Sequence, residues 1–438
     1  MRRIRATNIT NRLFSLAILF GLAALVLLSP VFDRGLTGGQ ATFCLGFVLL
    51  FGYYLAKLLE GFHLPAITSY IVVGIVCGPF AFNLLSSDVV NSLQVFDDVA
   101  LAIIALIAGG EMRLRVIRAR KSAFAGVIAG QTVFAFIGAL LVVYILRGYL
   151  GDVPVSHPRE VLAVGLLLGL IVVARSPSTT IGVIAETRAG GPMTEVLIGV
   201  TVLLDVFVLV LAAFVIPASE LLIDPGQQFS LEFVRNLGVT ILGSIAAGLF
   251  FGVLLSVYIR WIGGYLPIVL LVVGLIGSAV CRHYHFEPLL SFMIAGFVVE
   301  NFSSQGDRLI RGLERSAFPV YVIFFAISGA AIDLGALREM WVLALILVAV
   351  RAAAFWAGTK AAARFVGELR PYANSVWSGF LSQAGVTIGI ASLIERRFEW
   401  GGDLKTLVLA IVAINQLVGP VLLKWLLERK GETGGMDR

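Results

Sequence analysis

The sequence predicts an all-α polytopic membrane protein of about 13–14 transmembrane helices, and three observations carry that prediction. Of its 438 residues 59% are hydrophobic and only 14% charged, with a mean hydropathy of +0.96; a soluble domain carries roughly 25% charged residues. Apolar runs of about 18 residues, long enough to cross a bilayer as a helix, recur along nearly the whole chain. The charges collect in the short connections between those runs. A soluble catalytic domain is therefore excluded, and no enzymatic activity is expected.

Runs bounded by charge, Gly or Pro place spans at about 13–31, 41–58, 65–82, 93–110, 122–146, 161–186, 193–216, 232–259, 265–281, 288–302, 317–332, 340–359, 374–394 and 404–427. The first follows MRRIR, as a signal peptide would. No small-residue cleavage pattern follows it and the apolar stretch is long for such a peptide, so a retained extra helix within 1–40 is expected. With the amino terminus inside, 22 basic residues fall on cytoplasmic connections and nine on the other side. The positive-inside bias thus puts both termini in the cytoplasm of a cell (inner) membrane, with 429–438 a short tail. The net charge of +6 reports orientation, not nucleic acid. Cys44, Cys77 and Cys281 lie in apolar stretches with no ligand spacing and read as small hydrophobes; no cofactor is expected.

An ionisable group at mid-bilayer costs at least about 2.5 kcal/mol, so each should face a cavity or a partner. Arg175, Asp205 and Arg351 lie near the centres of their spans. Asp205 stands alone in GVTVLLDVFVLVLAAFV. Desolvation raises a buried carboxylate's proton affinity and a nearby cation lowers it, so such a group can trade a proton for a metal ion. The alternative is an Asp permanently paired with an arginine. Arg351 cannot shed its proton and acts either as a fixed charge or as a tether between helices.

Arg175 precedes Pro177 in VVARSPSTTIGVIAE, where proline removes a donor and disfavours helix at Ser176. A kink is the simple reading; a break would aim a half-helix amino end, with Ser176, Ser178 and Thr179, into the interior. A second interruption, SGFLSQAGVTIGIASLIE, puts Ser382, Gln383, Gly385 and Thr387 in mid-span, and its VTIGIAS echoes the earlier TTIGVIA. The two spans run antiparallel. Matched interruptions in two halves are the sequence pointer to a transport site at the interface of inverted repeats. The candidate cation- or proton-binding residues are Asp205, Ser176, Ser178, Thr179 and Gln383, with Arg175 and Arg351 as fixed charges; the only metal expected is a transported monovalent cation on Asp205.

Other features have plainer readings. Glu111 and Glu300 sit near predicted cytoplasmic ends, where loop pairing suits them, and Asp97 and Asp98 flank an outer end. His283 and His285 have no acidic or cysteine partners at ligand spacing. Asn8 and Asn301 fit the glycosylation pattern but lie near cytoplasmic faces. Gly248 and Gly252 form a GxxxG that suits either helix packing or a dimer contact.

Seven stretches in order resemble the monovalent cation:proton antiporter superfamily, the sodium/proton exchanger group: LPAITSYIVVGIVCGPF, ALIAGGEM, ARSPSTTIGVIAE, LLDVFVL, FMIAGFVVEN, FFAISGAAIDL and LSQAGVTIGIA. The resemblance covers about 41–428. It implies an antiporter fold with two crossing discontinuous helices, a core bundle and a dimerisation bundle, a homodimer in the lipid bilayer, and elevator-like transport of sodium or potassium against protons. Asp205 matches the family's essential aspartate and Arg351 the basic residue of the facing helix. The chain departs from the pattern at Leu204, where relatives usually carry Asp, Asn or Gln; a single titratable carboxylate in that motif implies electroneutral exchange. A symporter of organic anions, with Arg175 and Arg351 on a substrate carboxylate, is the alternative from another class.

Overall fold

A computed structural model describes residues 37–59, 62, 64–86, 89–90, 93–149, 153–224 and 231–434, and positions 14, 17, 20, 21 and 24, which are helical. The rest of the extra helix expected within 1–40, apart from the start of the next one, lies outside the described residues.

Proline and glycine punctuate the helices as their backbone chemistry requires. Pro158, Pro177, Pro192 and Pro288 each open a helix, where the missing N–H has no partner to lose. Gly431, at φ 68°, closes the last one in the left-handed conformation. The helices are α1 (Thr37–Leu59), α2 (Ala66–Cys77), α3 (Gln94–Gly110), α4 (Leu114–Leu146), α5 (Pro158–Val173), α6 (Pro177–Thr187), α7 (Pro192–Ile223), α8 (Leu231–Trp261), α9 (Leu266–His283), α10 (Pro288–Phe302), α11 (Gly306–Ala330), α12 (Leu334–Phe365), α13 (Gly385–Arg397) and α14 (Gly401–Lys430), with a 3-10 turn at Val376–Phe380 before α13. Counting α5 with α6, and that turn with α13, as single interrupted spans, they follow the spans expected from 41–58 onward.

The helices pack as two bundles. Helices α4–α7 and α12–α14 contact one another extensively, as do α1–α3 and α8–α11, while contacts between the groups are sparse. In lipid, helices associate through close van der Waals packing rather than hydrophobic exclusion, so small residues sit at the crossings. A Cβ on Gly130 of α4 would strike the Gly358 carbonyl of α12, and one on Gly358 would strike Gly130. Close backbone approach also marks α2 against α11, where Gly74 faces Ala326 and Gly329 faces Ile71, and α3 against α10, where Gly109 faces Met293 and Gly296 faces Leu106. The Gly248–Gly252 face lies on Ser291, Ile294, Ala295 and Val298 of α10, so that motif serves packing within the chain.

One polar latch ties the crossing bundle (α4–α7, α12–α14) to the flanking bundle (α1–α3, α8–α11). Glu186, near the end of α6, accepts from the Ala66 N–H with both oxygens at 2.9 Å, capping the amino end of α2. Lys424 of α14 donates to the Leu64 carbonyl at 3.1 Å and pairs with Glu186 at 3.4 Å. This latch lies at the end of the molecule that charge bias assigns to the cytoplasm.

Candidate functional site

The two interruptions are true breaks, and they meet. After Val173 the chain turns extended, with ψ 142° at Ala174 and 106° at Ser176, before Pro177 starts α6. A kink would have kept helical angles. The Ser176 hydroxyl accepts from the Thr179 N–H at 3.2 Å, an ordinary amino-terminal cap. The Ser176 N–H itself donates to the Ser382 carbonyl of the second break at 2.9 Å. Gln383 donates to the carbonyls of Ile171 (2.8 Å) and Ala174 (3.1 Å) and accepts from Asn415 (2.7 Å).

Breaking two helices in the interior leaves carbonyls with no intrahelical donor, each costly to bury unpaired. Arg351, fully buried, answers both ends. Its Nε donates to the Val172 carbonyl at 2.8 Å, Nη2 to Ala174 at 2.9 Å and Phe380 at 3.2 Å, and Nη1 to Leu381. The guanidinium therefore caps the carboxyl ends of both half-helices, where the dipoles place partial negative charge. Arg175 is held differently. Its Nη2 donates to Gln131 at 2.7 Å, Gln131 donates on to Thr359 at 2.8 Å, and its Cζ lies 4.4 Å and 4.9 Å from the ring centres of Phe380 and Phe355. Its Nε and Nη1 are sealed from solvent with no hydrogen-bond partner. Neither arginine pairs with Asp205.

Asp205, 5% exposed, lines a cavity of about 540 Å³. No donor bonds its carboxylate among the described residues and no cation pairs with it. Ser176, Ser178, Glu287, Asp333 and Gln416 share the cavity wall. Leu237 and Thr240 of α8, Glu287 before α10 and Ile332 after α11 also line it, toward helix ends on the face opposite the Glu186 latch. A second cavity of about 400 Å³ enters from the latch face and ends on Phe124, Ile198 and Gly199. Gly199 and Asp205 are six residues apart on α7, about 9 Å of helix. Asp205 thus lines one cavity, with that stretch of α7 between it and the lining of the other.

Of the five residues expected to bind the cation or proton, Asp205, Ser176 and Ser178 line the cavity, whereas Thr179 and Gln383 do not; Gln383 is occupied with backbone at the crossing. Four polar residues were not foreseen. Gln131, Asn415 and Gln416 stand inside apolar spans, the same signal that marked Asp205. Glu287 lies in a connection, and only the packing brings it into the cavity. Elsewhere Glu300 pairs with Arg113 at 3.0 Å, Asp98 pairs with Arg282, and Asn301 bonds the Leu114 N–H and the Met112 carbonyl. No group of three metal-ligating side chains occurs among the described residues, and the three cysteines are buried and unbonded to one another.

Comparison with known proteins gives this geometry its context. The chain is 23% identical over 394 residues to the protein called Probable Na(+)/H(+) antiporter 3 of Methanocaldococcus jannaschii, covering 85% of this chain and 93% of that protein. Its fold resembles the sodium proton antiporter MjNhaP1 of the same organism in two solved structures. One, at pH 8, has a TM-score of 0.59 and 16% identity over 90% of this chain and 99% of that one. The other, from an electron-microscopy map, has a TM-score of 0.64 and 19% identity over 88% and 95%. Residues 46–429 match the family described as "Sodium/hydrogen exchanger, transmembrane". That match takes in both breaks, Asp205 and Arg351, and the chain belongs to the sodium/hydrogen exchanger family of membrane transporters.

Proposed function

We propose that the chain exchanges a monovalent cation, sodium by preference over potassium, for protons across the cell membrane, and that Asp205 is the exchanging group. The observation that carries this is a 5%-exposed carboxylate, facing a cavity and free of any protein cation. An anionic Asp205 resists passage through the low-dielectric barrier between the two cavities; one proton or one monovalent cation neutralises it and lets it cross. Because the two ligands neutralise the same single charge, each must leave before the other binds, and exchange is one for one and electroneutral.

The crossing bundle is the moving part. Its breaks are bonded to each other and to Arg351, so they travel as a unit, while the sparse contacts to the flanking bundle let it slide in an elevator-like manner. The flanking bundle supplies the homodimer contact, and both termini face the cytoplasm. Arg351 has given its donors to backbone carbonyls, whereas Arg175 lines the Asp205 cavity with Nε and Nη1 unbonded; it is the family match that weighs against the organic-anion alternative.

Everted vesicles loaded with a pH-sensitive dye test the proposal. Sodium should dissipate an imposed proton gradient, with lithium and potassium compared alongside, and Asp205→Asn should abolish that response while the protein still inserts. Normal exchange by Asp205→Asn would end the proposal.

A further inference from the structure

Asp205 shares its cavity with two further carboxylates: Asp333, which caps α12 by accepting from the Ala336 N–H at 2.9 Å, and Glu287. Neither Asp205 nor Glu287 forms an ion pair among the described residues. They belong to different bundles. Asp205 is in the middle of α7, whereas Glu287 precedes the first turn of α10, with its N–H held at 2.7 Å by Ser244 of α8 and α10 locked against α3 at Gly296.

We propose that Glu287 is the second carboxylate of the cation site, contributed by the flanking bundle, which joins Asp205 on the ion while the cavity is open and stays behind when the crossing bundle moves. The inference rests on the exchange role of Asp205. A hard alkali cation prefers several oxygen ligands, and the residue beside Asp205 is Leu204, which offers none. The cavity wall supplies oxygens instead: the carboxylates of Asp205 and Glu287, the hydroxyls of Ser176 and Ser178, and Gln416, whose side-chain oxygen is buried without a donor. Gln416, 4% exposed, is an acceptor on this wall that no protein group satisfies.

Charge counting gives the arrangement its consequence. With both carboxylates ionised, a bound monovalent cation leaves the Asp205–Glu287 pair at net −1, while Asp333 and Arg175 on the same wall carry charges of opposite sign, so the open site favours entry of cations. When the crossing bundle departs it carries, of the two carboxylates on the ion, only Asp205, so the charge of Glu287 never meets the barrier. The cation is held by two carboxylates on the cavity face and by one on the other. Affinity is therefore intrinsically higher from the face where the cavity opens, which charge bias makes the outer one.

The test compares sodium dependence in right-side-out and everted vesicles. Glu287→Gln should raise the KM for sodium about tenfold when sodium is offered on the cavity face, with little change on the opposite face and Vmax retained. Glu287→Asp, which keeps the charge, should retain most of the affinity. An unchanged KM, an equal rise on both faces, or complete loss of exchange in Glu287→Gln would each overturn the proposal. An Asp variant as impaired as the Gln variant would overturn it too, by showing that size and not charge matters. Where Glu287→Gln fails to insert, the sidedness of the smaller shift in Glu287→Asp decides. Asp205→Asn measured alongside separates the two readings: if it retains exchange, the role of Asp205 is wrong; if it is inactive while Glu287→Gln is unchanged, only the role of Glu287 is wrong.

Discussion

At the scale of single residues, the two arginines show how alike groups acquire unlike tasks. Arg351 donates to carbonyls from both breaks, and removing it strands at least three buried acceptors at about 1 kcal/mol or more each. Arg351→Ala should therefore unfold in detergent with a stability loss of about 3 kcal/mol or more, read as a fall in thermal midpoint. Arg351→Lys, a compact ammonium without the planar fork, should recover only part of it. If Arg351→Ala kept its midpoint and altered only transport, the capping role would be refuted. At Asp205 the expectation concerns pH. A proton on the carboxylate removes the cation's ligand, so acidification should raise the KM for sodium while Vmax at saturating sodium holds. A fall in Vmax at constant KM would mean the two ligands do not compete for one group.

At the scale of elements, the interrupted helices work because their ends bond each other. Ser176 to Ser382, and Gln383 to Ile171 and Ala174, spend backbone groups that lipid could never satisfy. The crossing of α4 with α12 is the other critical contact, since Gly130 and Gly358 bring the two backbones together with no room for a side chain. Gly358→Val should force the helices apart, costing about 3 kcal/mol or more, and should yield little monodisperse protein on size-exclusion chromatography. Gly402, whose Cβ position is open, should tolerate Ala without such loss.

At the scale of the whole molecule, the cavity of Asp205 and the Glu186 latch lie on opposite faces, a pairing that defines one orientation of the transporter. A cysteine at Ser178 should react with a small membrane-impermeant thiol reagent from the outer face, against a low background because Cys44, Cys77 and Cys281 are buried. Glu186→Ala removes the cap on α2 and the partner of Lys424. It should slow that labelling by up to about tenfold, the effect of losing roughly 1.4 kcal/mol from this orientation. Faster labelling would refute the role of the latch in this orientation, and labelling only from the cytoplasmic face would reverse the assignment of faces.

The sequence by itself determined the type of the spans and, among the described residues from 41–58 onward, their places, because hydrocarbon admits only helices with satisfied backbones and such helices announce themselves by length and hydropathy. It also marked Arg175, Asp205, Arg351 and Gln383 as buried polar residues, while Gln131, Asn415 and Gln416, which carry the same signal, passed unremarked. It could not say which of them touch. Only the tertiary structure decided that Arg351 serves carbonyls rather than Asp205, that Thr179 and Gln383 stay out of the cavity, and that Glu287 enters it. Those outcomes depend on how helices far apart in the chain cross, and crossing is set by the packing of small residues on both partners at once, which no local pattern encodes.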